Sequence, residues 1–210
     1  PQPEGYEYLY LTGHPMGSEL YYQCIGINRT EEDLKNYPQM AGSGLGDYIY
    51  KDIDENGKID AKDMLRSDLN TIPQIVFGLT ANFQYKNFDL SILFQGQALA
   101  RLHYTPLQAP LEGNITKEMA TQSWNLDRPD AKYGRINSTN NRKESTMWLR
   151  NASFLRLKNV ELGYNFSGKA LKTVGVKGLR LYIGGYNLFT ISGLKEVDPE
   201  TNNTAAYPLM

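Results

Sequence analysis

Cysteine is almost absent from this sequence, since Cys24 is the single one among 210 residues. A lone cysteine cannot form an intrachain disulfide, so such bonds do not hold the fold together. Histidine is nearly as scarce, and His14 and His103 have no metal-ligand spacing to each other or to Cys24. Neither a Gly-x-Ser-x-Gly motif nor a phosphate-binding loop occurs, so the sequence does not predict an enzyme.

Long apolar runs and excess charge are lacking too. No run of about 18 apolar residues occurs, which excludes a membrane-spanning helix but leaves spanning strands open. The net charge of -1 argues against a nucleic-acid partner. The opening residues have neither the basic start nor the apolar core of a signal peptide. We therefore expect that a leader was removed or that the chain is part of a longer one.

Tyrosine, by contrast, is abundant, with 15 tyrosines against 7 phenylalanines and 2 tryptophans. Such amphipathic rings suit membrane interfaces, sugar-binding surfaces and ordinary β-rich folds alike. Hydrophobic residues make up 40% of the chain and charged residues 21%. This composition favours a folded protein over a disordered one.

The clearest structural signal is an alternation of apolar and polar residues over 76–97. The apolar positions before and after a two-residue break at Lys86 and Asn87 are Phe77, Leu79, Ala81, Phe83, Tyr85, then Phe88, Leu90, Ile92 and Phe94. The pattern predicts a β-hairpin with one apolar side. Strands of about ten residues are long enough to cross a bilayer in an outer-membrane barrel. A soluble sandwich with one solvated face gives the same alternation.

Two further strands are predicted within 154–191, joined by a turn at 167–178. On the first of them, Val160 and Leu162 share the apolar face. Because side chains of a strand alternate between its two faces, Arg156 and Lys158 are expected at the start of that same face. In a barrel these cations would lie near the outer headgroups; in a soluble sheet they would be exposed ends. Along the chain, the short connections at 86–87 and 167–178 alternate with long ones at 1–75, 98–153 and 192–210. An outer-membrane barrel has the same arrangement, with short turns on its periplasmic side and long loops on its extracellular side.

Residues 52–63 have the spacing of a calcium-binding loop. The oxygen ligands would be Asp52, Asp54, Asn56, the Lys58 carbonyl, Asp60 and Asp63, with a glycine, Gly57, at the sharp turn. The last position is Asp rather than the longer bidentate Glu, and a strand rather than a helix precedes the loop. We expect a single structural Ca2+ site that stiffens a connection, and a solvated acidic turn is the alternative.

The remaining predicted elements are short. Thr30 is expected to cap a helical turn with Asp33 at its third position, and 115–124 to contain a second short helix. The rest of 98–153 is a long polar loop. Such a loop is unusual in a compact domain and is expected at the outer end of a barrel.

Together, these segments resemble the C-terminal part of SusC/RagA-family TonB-dependent outer-membrane receptors. The resemblance covers nearly the whole chain and is carried by residues 13–27, 51–63, 72–97, 124–135, 148–166 and 178–200. It implies an all-β fold: a fragment of a large antiparallel transmembrane β-barrel, 22-stranded in this family, with long extracellular loops. Because single-chain barrels need at least about eight strands, these four cannot close one alone.

The resemblance also implies the biology. Family members import nutrients across the cell outer membrane with a SusD-like surface lipoprotein, and TonB contacts a plug region that this sequence lacks. The implied partners are therefore that lipoprotein, TonB through the plug, outer-membrane lipid and a glycan or peptide substrate. The resemblance also implies that 192–210 is an extracellular loop before a missing final strand.

Two other readings remain open at this point. One is an extracellular calcium-stabilised β-rich binding module, although a dockerin would need a second copy of the calcium loop. The other is an oligomeric barrel to which several chains each donate four strands, which the long unequal loops do not favour.

Overall fold

The computed structural model describes residues 6–104, 115–166, 173, 175–195 and 197–201. These residues form two compact units, one built chiefly from 1–72 and 101–150 and the other from 73–100 and 151–200. Among them, no helix has the length and apolar character needed to cross a membrane. The strands are β1 Glu19–Tyr22, β2 Cys24–Ile27, β3 Tyr48–Tyr50, β4 Met64–Ser67, β5 Ile75–Tyr85, β6 Phe88–Ala98, β7 Arg101–His103, β8 Leu149–Asn151, β9 Phe154–Phe166 and β10 Leu179–Ser192; the helices are α1 Glu31–Asn36 and α2 Lys117–Gln122.

The second unit is a single antiparallel sheet with the strand order β10-β9-β6-β5. Tyr85 pairs with Phe88, so Lys86 and Asn87 form the two-residue hairpin loop that the alternation predicts. Lys86 adopts a positive φ of 53°, as a tight hairpin turn requires. All four long strands predicted from the sequence are therefore present, and they are consecutive neighbours in one sheet.

One face of this sheet is apolar across its whole width. In one row, Phe83 pairs with Leu90, Leu90 with Leu162, and Leu162 with Ile183. The adjacent row on the opposite face runs Gln84, Asp89, Gly163 and Tyr182. Leu79, Phe83 and Ile183 expose 63%, 59% and 74% of their surface. Within the described residues, nothing covers this apolar face as the second sheet of a soluble sandwich would.

A β-bulge in β9 corrects one prediction. The partner of Leu93 is Asn159 while that of Phe94 is Leu157, so Lys158 is an extra residue on this strand. Because one extra residue reverses the alternation, Leu157 joins the apolar face and Arg156 turns to the polar one. The prediction that Arg156 and Lys158 begin the apolar face is therefore wrong.

Arg156 is instead buried against the segment that follows β10. Only 2% of its surface is exposed. Its Nη2 donates to Asp198 Oδ1 at 2.6 Å, and its Nη1 pairs with Glu200. The Lys158 ammonium also pairs with Glu200, at 2.7 Å. Residues 197–201 are thus attached to β9 by two cations and two carboxylates.

The first unit is built from short elements around an aromatic core. Its strands pair as β1 with β4, β2 with β3 and β7 with β8. The largest buried side chains of the core include Tyr48, Tyr50, Tyr133 and Trp148. Tyr48 meets Trp148 edge-on at 5.8 Å, and Tyr133 stacks on the same indole at 6.5 Å. In this unit, the buried tyrosines therefore pack the aromatic core.

Local capping and one ion pair fix the loops of the first unit. The Thr30 hydroxyl accepts from the Asp33 N–H and the Asp33 carboxylate accepts from the Thr30 N–H, which is the expected capping box of α1. The helix predicted in 115–124 is α2, which is also capped by a threonine, Thr116. Asp47 is fully buried and accepts from Arg135 Nε at 2.7 Å and Nη2 at 2.9 Å. This bidentate pair joins segments 88 residues apart.

Parts of four predicted segments lie outside the described residues. These parts are 1–5 of the first loop region, 105–114 of the long loop, 167–172 and 174 of the predicted turn, and 196 and 202–210 of the last loop. The domain boundaries proposed for those segments therefore remain predictions.

Candidate metal centre and relatives of the chain

Three carboxylates of the predicted calcium loop converge on one point. Oxygen atoms of Asp52, Asp54 and Asp63 all lie within 4.8 Å of one another. The chain folds this way because Glu55 and Gly57 both adopt positive φ, 57° and 79°, which turns the backbone sharply around the acidic side chains. Ile59 is buried beneath the loop and bridges to Met40.

Each of the three carboxylates is oriented by backbone donors or by Asn56. Asp52 Oδ2 accepts from the Gly57 N–H at 2.7 Å. Asp54 accepts from the backbone and side-chain nitrogens of Asn56. Asp63 is fully buried, and its two oxygens accept from the N–H groups of Ile53 and Asp60. These bonds leave further lone pairs on every oxygen, because a carboxylate has about four acceptor positions.

The donor set fits a hard divalent cation. Asp52 Oδ1 is shielded from solvent and has no hydrogen-bond partner among the described residues. A shielded carboxylate oxygen without a donor is costly unless a cation or water satisfies it. Three carboxylates this close also repel one another unless a positive charge lies between them. Calcium prefers such oxygen ligands in a flexible loop.

Two further predicted ligands, Asp60 and Asn56, accept hydrogen bonds from backbone N–H groups within the loop. Asp60 caps a 3-10 turn through Lys62 N–H and does not join the group of three. Asn56 Oδ1 accepts from the Lys58 N–H at 2.8 Å. The loop is preceded by β3 and followed, after the turn Ala61–Asp63, by β4. It is therefore flanked by strands and not by the two helices of an EF-hand.

The two histidines are far apart in the sequence and have separate acidic partners. His14 Nδ1 lies 2.7 Å from Asp68 Oδ1, and His103 Nε2 lies 3.0 Å from Glu144 Oε2. His14 is in a loop, whereas His103 belongs to β7 and contacts the Tyr21 ring edge-on at 5.9 Å. Neither histidine belongs to the metal-type cluster found among the described residues.

Sequence reasoning missed the role of Arg156 although a signal was present. Leu155 and Leu157 are apolar at odd positions, whereas Val160 and Leu162 are apolar at even ones. A change of phase inside one strand is the sequence mark of a bulge. No comparable local signal points to the partners of Arg156, because Asp198 and Glu200 lie more than 40 residues along the chain.

Comparison with curated proteins finds receptors. No protein-family model matches the chain. TonB-dependent receptor P3 of Formosa agariphila is 28% identical over 200 residues, which is 90% of this chain and 19% of that receptor. TonB-dependent receptor SusC of Bacteroides thetaiotaomicron is 29% identical over 172 residues, which is 74% of this chain and 17% of SusC. These relatives are receptors and not enzymes, which confirms the expectation that this chain is not an enzyme.

Comparison with solved structures finds the same fold. The structure of the RagAB peptide transporter superposes with a TM-score of 0.66 at 23% identity, over 91% of this chain and 21% of that one. The RagAB peptide importer in its closed-closed state gives 0.65 at 24% identity, with the same coverage. This likeness confirms the all-β barrel-fragment fold.

Both comparisons match only part of a longer protein. The chain spans about a fifth of the length of the curated relatives it matches. Among the described residues, the sheet of β5, β6, β9 and β10 is open at both edges and does not close into a barrel. In sequence and in fold, this chain is a fragment that resembles the SusC/RagA type of TonB-dependent receptor, as its motifs predict.

Proposed function

We propose that this chain is part of the barrel wall of an outer-membrane nutrient importer. The observation that carries the proposal is the row Phe83, Leu90, Leu162 and Ile183, which makes one face apolar across all four strands. The strands of 11 to 14 residues are long enough to cross a bilayer, since a tilted strand needs about 9 to 11 residues. The apolar face would contact lipid, and the polar face would line the interior.

An aromatic cluster supports a membrane interface at the hairpin end of the sheet, and the short hairpin loop there indicates the orientation. Near the hairpin loop, Phe88 contacts Tyr164 edge-on at 4.7 Å, and Tyr164 contacts Phe166 at 4.5 Å. Aromatic girdles mark the membrane interfaces of such barrels, and their short turns face the periplasm. The end with Lys86 and Asn87 would therefore be periplasmic. The long connections before β5 and after β6, of which the acidic loop is part, would then be extracellular.

For the acidic loop, the proposal is one structural Ca2+ ion. Asp52, Asp54 and Asp63 would hold it, and Asn56 and the Lys58 carbonyl are further candidate ligands. The ion would cross-link the connection between β3 and β4 by neutralising three converging carboxylates. Asp60, which caps the next turn, has at most a secondary role.

The importer would act with partners that this chain does not contain. The names of the relatives support TonB-dependent uptake, with TonB acting through a plug region outside this sequence. A SusD-like lipoprotein is the proposed lid, by analogy with SusC and with the paired RagAB assembly. RagAB is described as a peptide transporter, so peptide stands beside oligosaccharide as the proposed substrate.

The test is to identify the native polypeptide that contains this sequence. We expect it in the outer-membrane fraction, about five times as long as this sequence, because the chain covers 19% of receptor P3. Deleting its gene should abolish growth on one oligosaccharide or peptide source and leave growth on simple sugars unchanged. A native product of about the present length that needs no detergent would instead support a secreted calcium-stabilised β-rich module.

A further inference from the structure

The apolar face of the four-stranded sheet contains a groove of about 310 Å³ near its hairpin end. The apolar-face side chains that border this groove are Phe88, Leu162, Tyr164, Leu181 and Ile183. They come from three adjacent strands, β6, β9 and β10. A groove with such walls suits a hydrocarbon chain and offers few partners to a polar ligand.

The groove lies at the level of the aromatic cluster. Phe88 and Tyr164 belong both to that cluster and to the groove lining. Phe88 is also the first residue of β6, directly after the hairpin loop. In the proposed orientation this end of the sheet faces the periplasm. The groove would therefore meet the phospholipids that form the periplasmic leaflet of an outer membrane.

Two exposed lysines stand at equivalent places beside the groove. Lys86 is two residues before the first residue of β6, and Lys177 is two residues before the first residue of β10. These are the two outer strands of the groove, and both begin at this end because each is antiparallel to β9. They are two strand spacings, about 10 Å, apart. A headgroup above the groove would thus lie between the two lysines.

The position of the Lys86 ammonium agrees with this arrangement. Its Nζ lies 5.2 Å from the centre of the Tyr85 ring. Tyr85 pairs with Phe88, so its ring is on the apolar face and the ammonium lies beside that face. The connection 167–178, which ends with Lys177 and a glycine, contains three lysines and no acidic residue.

The acidic residues near this end are on the other face of the sheet and are already paired. Asp89 and Glu161 are in rows of the polar face, and both pair with Arg180. Neither Lys86 nor Lys177 has an ion-pair partner among the described residues. Within that part of the chain, the lipid side of this end is therefore positively charged.

We propose that the groove and the two lysines together bind one anionic phospholipid of the periplasmic leaflet. One acyl chain would lie in the groove, and the headgroup would lie between Lys86 and Lys177. Lysine side chains can follow an apolar surface and still place the ammonium among the headgroups, and each attracts an anionic lipid. The inference rests on the proposed barrel wall and deepens it by naming a lipid site on that wall.

The test is native mass spectrometry of the purified full-length receptor in detergent. The receptor is titrated with phosphatidylglycerol and, separately, with phosphatidylethanolamine that carries the same acyl chains. We expect tighter binding of phosphatidylglycerol. Lys86→Gln combined with Lys177→Gln should weaken that binding about fivefold for each lysine removed, the attraction typical of a lysine near an anionic lipid surface. Binding of phosphatidylethanolamine should change little.

Two further variants separate the groove from the charges. Leu181→Trp should weaken the binding of both lipids by a similar factor, because an indole would fill part of the groove. Leu181 is 56% exposed on the apolar face, so this apolar replacement should not hinder folding. Lys35→Gln, the matched control, removes one exposed positive charge from α1 and should leave the binding of both lipids unchanged.

Three results would overturn the inference. One is equal affinity of the unmodified receptor for the two lipids. Another is unchanged binding of phosphatidylglycerol in the double lysine variant, or an equal loss in Lys35→Gln. The third is unchanged lipid binding in Leu181→Trp. A full-length receptor that is soluble without detergent would contradict the proposed barrel wall, whereas an outer-membrane receptor without these lipid effects would contradict only this site.

Discussion

Arg156 lies directly opposite Thr190 across the pairing of β9 and β10, and its Nε donates a hydrogen bond of 2.7 Å to the Thr190 hydroxyl. The other guanidinium nitrogens reach Asp198 and Glu200. One side chain thus joins two strands to the segment 197–201. This requires the bulge at Lys158, because an unbroken alternation would turn Arg156 to the apolar face.

Replacing this arginine should free the 197–201 segment. Arg156→Gln would leave Asp198 and Glu200 without their shared cation, and breaking a buried pair costs on the order of 3 kcal/mol. We expect faster hydrogen exchange over 197–201 in the full-length receptor. Lys158→Gln, the matched control, removes a more exposed pair to Glu200 and should cost less than about 1 kcal/mol. Equal exchange rates in both variants would contradict the anchoring role of Arg156.

The same segment should respond to acid within a narrow range. Burial alone would raise the pKa of Asp198, but hydrogen bonds from Arg156 and from the Glu200 N–H bring that pKa below its ordinary value. The stabilisation is therefore complete above about pH 4, the unfolded value, and is lost as the pH falls through the lower folded pKa.

Hydrogen exchange at pH 7, 5 and 3, corrected for intrinsic rates, measures this effect. We expect protection of 197–201 to be unchanged between pH 7 and 5 and to fall near pH 3. Asp198→Asn should weaken protection at pH 7 and reduce its dependence on acid. A loss of protection over 197–201 that begins between pH 7 and 5 would show that another titratable group controls the segment.

The two faces of β5 should tolerate charge differently. Leu79 is on the apolar face, and Thr80 is on the other. Leu79→Arg should lower barrel stability by about 2 to 4 kcal/mol if residue 79 faces the middle of the bilayer. Thr80→Arg should lower barrel stability by a smaller amount. Folding into lipid vesicles, followed by heat-modifiable gel mobility, measures both, and equal losses would remove the lipid-facing assignment.

Calcium should stiffen the loop between β3 and β4. Asp52→Ala combined with Asp54→Ala removes two of the three converging carboxylates. We expect proteolysis of the loop in the native receptor to become independent of calcium, whereas in the parent protein a chelator should accelerate it. Glu55→Gln removes an acidic group of the same loop that is not among the three and should behave like the parent. Calcium-independent cleavage of the parent itself would argue for a solvated acidic turn.

Much of the fold could be predicted because its signals are local. The two-residue break at Lys86 and Asn87 fixes the hairpin register, and Thr30 with Asp33 marks the start of α1. The spacing from Asp52 to Asp63 likewise reflects one continuous loop. In each case, the residues that interact belong to one short continuous segment of the chain.

Features that depend on distant residues could not be predicted. Arg156 pairs with Asp198, which is 42 positions away in the sequence, and Arg135 pairs with Asp47, which is 88 positions away. Asp60 matched the loop spacing but caps a turn instead, where its carboxylate accepts from the Lys62 N–H.

The most direct test of the account is the environment of successive residues along β5. Single cysteines at positions 79–84 of the full-length receptor, freed of its other cysteines and reconstituted in lipid, would carry nitroxide labels. The account predicts that labels at 79, 81 and 83 are accessible to oxygen dissolved in the bilayer. Labels at 80, 82 and 84 should favour a water-soluble nickel complex. Uniform accessibility to the nickel complex at all six positions would contradict a membrane-spanning wall.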